Sequence, residues 1–123
     1  MPYPLDDTIA AVASPPGGAA RGILRLSGPG VLDCLARIFE AADACELSAI
    51  RRATVVPGLL RLDPPIVPLD CDLYLWPDRR SYTGQPMAEI HTVGSPPLLE
   101  AALRALCRSG SRLAERGHGA STG

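Results

Sequence analysis

Apolar residues recur in this chain at two different periods, and the change between them separates strands from helices. Thr8 to Ala13 is short and almost wholly apolar, the pattern of a strand buried on both faces. Gly22 to Ser27 alternates, with Leu24 and Leu26 pointing one way and Ile23, Arg25 and Ser27 the other. Past Gly28-Pro29 the period lengthens. Val31, Cys34, Leu35, Ile38 and Phe39 share one helical face, which predicts an amphipathic helix over about residues 29–41 with Pro29 at its start. Ala41 to Ile50 fits either a helical tail or a loop. Arg52 to Val56 and Leu59 to Leu62 have strand character, with a bulge or bend expected at Pro57-Gly58.

Asp63-Pro64-Pro65 makes a turn, and Cys71 to Trp76 alternates again. Cys71, Leu73 and Leu75 oppose Asp72, Tyr74 and Trp76, as in a half-buried strand that hairpins with the one before it. Met87 to Val93 predicts a further strand, with Met87, Glu89, His91 and Val93 on one side and Ala88, Ile90 and Thr92 on the other. Ser95-Pro96-Pro97 opens a second helix whose apolar face is Leu98, Leu99, Ala102, Leu103 and Leu106. Glu100, Arg104 and Arg108 form a charged ladder outside it, and Gly110 is its natural stop. Arg112 to Ala114 suits a last short strand, and 116–123 a disordered tail. The order β-β-α-β-β-β-α-(β) predicts an α+β domain, a mixed sheet of about five strands carrying two main helices.

Composition narrows the picture. A chain of 123 residues suits one domain, and 46% apolar with 20% charged residues is the balance of a globular one. The net charge of −1 gives no broad attraction to nucleic acid or membrane. All twelve basic residues are arginine, the pattern a GC-rich genome would also produce. No apolar run approaches the roughly 20 residues needed to cross a bilayer, so no membrane attachment is expected, nor a secretory signal. Cys34, Cys45, Cys71 and Cys107 form no Cys-x-x-Cys pair. Cys34, Cys71 and Cys107 are expected as small buried hydrophobes in a reduced, cytoplasmic protein.

Candidate chemistry is sparse. Gly17 to Gly22 is glycine-rich, but it lacks the Lys-Ser/Thr of a P-loop and precedes a strand, so a plain turn is expected there. Glu89 and His91 share a strand face, which is common without catalysis. His118 falls in the expected tail. Arg25 and Glu89 are each the conspicuous charge of an apolar strand. Two readings fit them equally: a structural ion pair, or a ligand pocket in which the carboxylate accepts two hydrogen bonds from an amino-pyrimidinone edge and the arginine meets a carbonyl or carboxylate.

Several separated motifs then carry a resemblance. Asp7-Thr8-Ile9-Ala10-Ala11, Ser14-Pro15-Pro16-Gly17 and Gly22-Ile23-Leu24-Arg25-Leu26-Ser27-Gly28-Pro29 stand in order. Ser81-Tyr82-Thr83-Gly84, Ala88-Glu89-Ile90-His91 and Gly110-Ser111-Arg112-Leu113-Ala114 follow them. Together, over about residues 6–115, they resemble the N-terminal domain of the MnmE (TrmE) family of tRNA modification GTPases. The resemblance implies a fold similar to the folate-binding domain of aminomethyltransferases. It also implies binding of 5-formyltetrahydrofolate or a related reduced folate, and homodimerisation. Arg25 and Glu89 match the family's folate-contacting arginine and glutamate; His91 receives no role.

In the full family protein the domain works with a helical domain, an inserted GTPase and a flavoprotein partner on the wobble uridine of tRNA, so tRNA is met only indirectly. Three departures stand out. Gly17-Gly18-Ala19-Ala20-Arg21 replaces Gly-Arg-Gly-Gly, Gln85-Pro86 replaces an acidic pair, and the match dissolves after Glu115. The GTPase motif, the C-terminal cysteine and a further folate-contacting lysine have no counterpart in these 123 residues, and no autonomous catalysis is expected. A degenerate or truncated interaction module without a ligand is the alternative. A small folate-dependent one-carbon transferase is a third.

Overall fold

A computed structural model describes residues 8–14, 20–77 and 85–114. Its elements are β1 (Ile9–Val12), β2 (Arg21–Ser27), α1 (Val31–Ile38), β3 (Phe39–Ala41), β4 (Thr54–Leu60), β5 (Leu69–Trp76), β6 (Met87–Val93), α2 (Pro96–Arg108) and β7 (Arg112–Leu113). A single 3-10 turn, Leu47–Ala49, lies between β3 and β4. The sheet runs β3-β4-β5-β6-β2-β1-β7. Its pairs are antiparallel except β1 with β7, which makes it mixed.

The alternation along the long strands is used as the sequence predicts. Leu24 and Leu26 on β2, Leu73 and Leu75 on β5 and Ala88 and Ile90 on β6 are fully buried. Register sets them side by side, Leu24 against Ile90 and Leu26 against Ala88 on one flank, Leu73 and Leu75 against the same two residues on the other. Leu35 of α1 and Leu106 of α2 close over that layer. Each leucine or isoleucine of that layer contributes about 1.5–3 kcal/mol through burial. Among the described residues no helix lies on the opposite face, as antiparallel sheets allow. β1 departs from expectation: Ala10 is buried, but Ile9 and Ala11, which point to this bare face, are only half-buried, and Val12, on the same side as Ala10, is 40% exposed.

Among the described residues seven strands stand where about five were expected; β3 was not foreseen, whereas β7 is the last short strand expected at 112–114. The helix predicted to run to about residue 41 stops at Ile38, and Phe39 turns extended to pair with Leu60. Phe39 is buried in either conformation, so helical periodicity could not locate the break. β7 is only two residues long and adds itself beside β1 through the bond from Arg112 N–H to Thr8 O. No bulge forms at Pro57-Gly58. The β4–β5 register is unbroken from Thr54–Leu75 to Leu60–Leu69. Gly58 is instead the place where β3 passes closest: a Cβ there would meet Phe39 Cζ at 2.7 Å and the backbone of Glu40 and Ala41.

The helix ends also differ in detail. Pro29 lies in the turn before α1 rather than in its first turn. Gly28 takes a positive φ of 135° there, and Gly30 N–H donates to Thr8 Oγ1 at 2.7 Å, so the residue just before β1 satisfies the helix start from outside. α2 runs from Pro96 to Arg108 with Ser109 as its C-cap, followed by Gly110 at φ 119°, as the stop signal predicts. Its outer Arg108 reaches Asp63 at 3.2 Å. Among the described residues no helix is long and apolar enough to cross a membrane.

Candidate site on the bare face of the sheet

The bare face takes its chemistry from cross-strand register. Arg25 on β2 stands opposite Glu89 on β6, which stands opposite Tyr74 on β5. One row along, Ile23, His91 and Asp72 stand opposite one another in the same way. Arg25 donates from Nε and Nη2 to one oxygen, Glu89 Oε2, at 2.9 and 2.6 Å. The other oxygen, Oε1, lies 3.0 Å from His91 Nε2. His91 packs on Tyr74 with ring centroids 4.2 Å apart at 37°. Glu89 is the most sheltered of the charged pair, its side chain 15% exposed against 46% for Arg25.

Burial of Glu89 works to raise its carboxyl pKa. Hydrogen bonds from His91 and Arg25, with the Arg25 charge, outweigh it and leave the group below its ordinary value. Glu89 is therefore an ionised acceptor at neutral pH. Its partners also account for how a carboxylate sits in an apolar strand without an unpaired charge.

A concavity of about 550 Å³ opens at one end of the same face, lined by Arg21, Pro57, Gly58, Leu59, Asp70 and Asp72 among others. Arg21, which sequence reading left outside its strand, is the first residue of β2 and lies 3.7 Å from Asp72. The polar line beside the concavity holds the hydrogen bonds and so defines the candidate site. Met87, Tyr74, Trp76 and Ile23 surround that line half-buried.

The structure thus joins Arg25 and Glu89 and adds His91 to them. Tyr74 was not singled out by sequence reasoning. Its signal was the alternation of 71–76, which put it on the half-exposed face, but only strand order puts it beside His91. Gly17–Ala19, Ser81–Gly84 and His118 lie outside the described residues. Cys34 and Cys71 are buried as expected, whereas Cys107 is half-exposed, on the outer flank of α2. Among the described residues no group of three or more His, Cys, Asp or Glu is placed to hold a metal.

A mixed sheet covered by helices on one face, with an arginine–glutamate–histidine line on the other, defines an α+β module with a hydrogen-bonded polar line on its uncovered face. The chain belongs to the family described as GTP-binding protein TrmE N-terminus, whose sequence profile matches residues 8–119. Similar proteins are the tRNA modification GTPases MnmE of Rhodopirellula baltica (47% identical over 112 residues), Nitratidesulfovibrio vulgaris strain DP4 (39% over 113) and Thermus thermophilus (38% over 117). The matches cover 91%, 91% and 92% of this chain, but 24%, 24% and 26% of those proteins, so the chain spans about a quarter of their length.

Proposed function

We propose that this domain binds a reduced folate, 5-formyltetrahydrofolate or a close one-carbon relative, and pairs with a second copy of itself. It would serve as the binding and dimerisation module of a cytoplasmic system that modifies wobble uridine in tRNA, with no chemistry of its own. The observation that carries this reading is Glu89. It is an ionised, largely sheltered carboxylate on a face that no helix covers, with Arg25 directly opposite. A pterin ring offers adjacent N–H donors that suit a carboxylate, and its carbonyl suits a guanidinium. The half-buried Tyr74, Trp76 and Met87 around the pair supply apolar surface for a flat ring and for a partner protomer.

Membership of the TrmE N-terminal family supports the link to tRNA modification. A flavoprotein partner and indirect contact with tRNA belong to the same proposal. Isothermal titration of the chain with 5-formyltetrahydrofolate tests the ligand. Heat release with saturation is expected, and none at high micromolar ligand sinks the reading. Analytical ultracentrifugation of wild type and Trp76→Glu tests pairing, with a dimer expected for the first and a monomer for the second.

One observation favours a second reading. Arg25 and Glu89 already satisfy each other, as a purely structural pair would. A dimer that takes no folate would establish that ligand-free interaction module instead.

A further inference from the structure

We propose that His91 is the positioning residue of the Glu89 carboxylate, presenting both its oxygens to the paired N–H donors of an amino-pyrimidinone ring. The inference rests on the folate reading above and assigns a role to a residue that reading leaves idle.

Arg25 holds Glu89 by a single carboxylate oxygen. Its Nε and Nη2 groups both donate to Oε2, so Arg25 anchors one oxygen and leaves the carboxylate plane to rotate about it. The terminal torsion of glutamate is broad and sets no plane by itself. His91 Nε2, 3.0 Å from Oε1, supplies the second point that fixes the plane. A carboxylate at neutral pH only accepts, so a neutral ring makes this bond only with its proton on Nε2. Tyr74 then limits the imidazole itself, packed at 4.2 Å between centroids.

Three adjacent strands therefore hold one carboxylate: β2 through Arg25, β6 through His91 and β5 through Tyr74. Oε1 keeps a further acceptor site beyond its contact with His91. Arg25, nearly half-exposed, can yield one of its two contacts on Oε2. A ligand needing both oxygens in one plane gains from a plane set before it arrives, because it does not have to order the side chain on binding.

The test is titration of the 123-residue chain and its variants with 5-formyltetrahydrofolate and with its 2-desamino counterpart, which has lost one of the two N–H donors. His91→Phe keeps a ring against Tyr74 and removes the donor; His91→Gln keeps a donor of similar reach. For the natural ligand we expect Kd to rise about tenfold in His91→Phe and to stay within about threefold in His91→Gln, the scale of one lost hydrogen bond. For the 2-desamino ligand, wild type and His91→Phe should agree within about twofold, since one prong needs no fixed plane. If His91→Phe does not fold, Tyr74→Leu carries the same comparison by releasing the imidazole.

Equal binding of the natural ligand by wild type and His91→Phe overturns this inference alone. So does an equal loss in His91→Gln and His91→Phe, or a loss in His91→Phe that persists undiminished with the 2-desamino ligand. A wild type that binds no folate overturns the folate reading, and this inference with it.

Discussion

Arg25 and Glu89 face each other directly across the β2–β6 ladder, and the guanidinium places two N–H groups on a single oxygen of the carboxylate. The arrangement satisfies an ionised group on the bare face while leaving the second oxygen to His91. It lies outside the leucine-rich layer under the helices, so its chemistry and the stability of the fold can be changed separately.

Charge reversal at Glu89 tests that separation. Glu89→Lys sets a second cation against Arg25 and removes the proposed acceptor. Folate affinity should fall by about tenfold or more, as expected for losing a charge-assisted hydrogen bond. The fold should persist with a loss of about 1 kcal/mol, since the pair is partly solvated. Titration calorimetry and thermal melts by circular dichroism read the two effects; collapse of the fold would place Glu89 in the structural framework instead.

Acid should weaken the domain through the same carboxylate. The folded pKa of Glu89 lies below its ordinary value of 4.5, so the folded state favours the ionised form. That contribution is fully present above the unfolded value and is lost as pH falls through the folded one. Urea midpoints measured at stepped pH should therefore drop below about pH 4.5, and Glu89→Gln should show a shallower drop over that window. Parallel profiles for the two proteins would contradict the assignment.

Thiol labelling should sort the cysteines by burial. Cys45 is exposed and should react first in the native protein. The Cys71 thiol is pushed up to about 12 by burial, with Asp72 and Asp70 adding to the shift, and burial also raises Cys34. Both should stay unlabelled until the chain unfolds, because the thiolate is the reactive form. Alkylation followed by peptide mass mapping gives the order, and early labelling of Cys71 would argue against the buried side of β5.

Gly58→Val should destabilise more than its surface position suggests. The new Cβ would meet the Phe39 ring at 2.7 Å and the backbone of β3 on both sides, and backbone cannot swing away as a side chain does. A loss of about 1–3 kcal/mol is expected from such overpacking. Pro57→Ala, one residue away and exposed, should cost well under that; equal midpoints for the two variants in urea would mean that β3 does not pack as described.

Much of this architecture was legible because its signals are local. Leu24 and Leu26, Leu73 and Leu75, and Ala88 and Ile90 are buried as their alternation predicts. Gly110 ends α2 where a left-handed residue was expected. The errors share a physical cause. Phe39 satisfies both a helical face and a strand face, and β3 exists because Gly58 lets the backbone come close, a property of the partner strand rather than of Phe39. Pro57 and Gly58 are commonly breakers, yet the long β4–β5 pairing carries both without a bulge.

The site divides in the same way. The sequence by itself determined that Arg25, Glu89, His91 and Tyr74 would each lie on the less buried face of its strand, because side-chain direction in a strand follows from period two. Only the tertiary structure decided that they meet. Strand order places β6 between β2 and β5, and register brings Arg25 opposite Glu89 and Tyr74 close to His91. That choice comes from burying leucines far apart in the chain under two helices, a long-range energy that leaves no local trace in the pattern of residues.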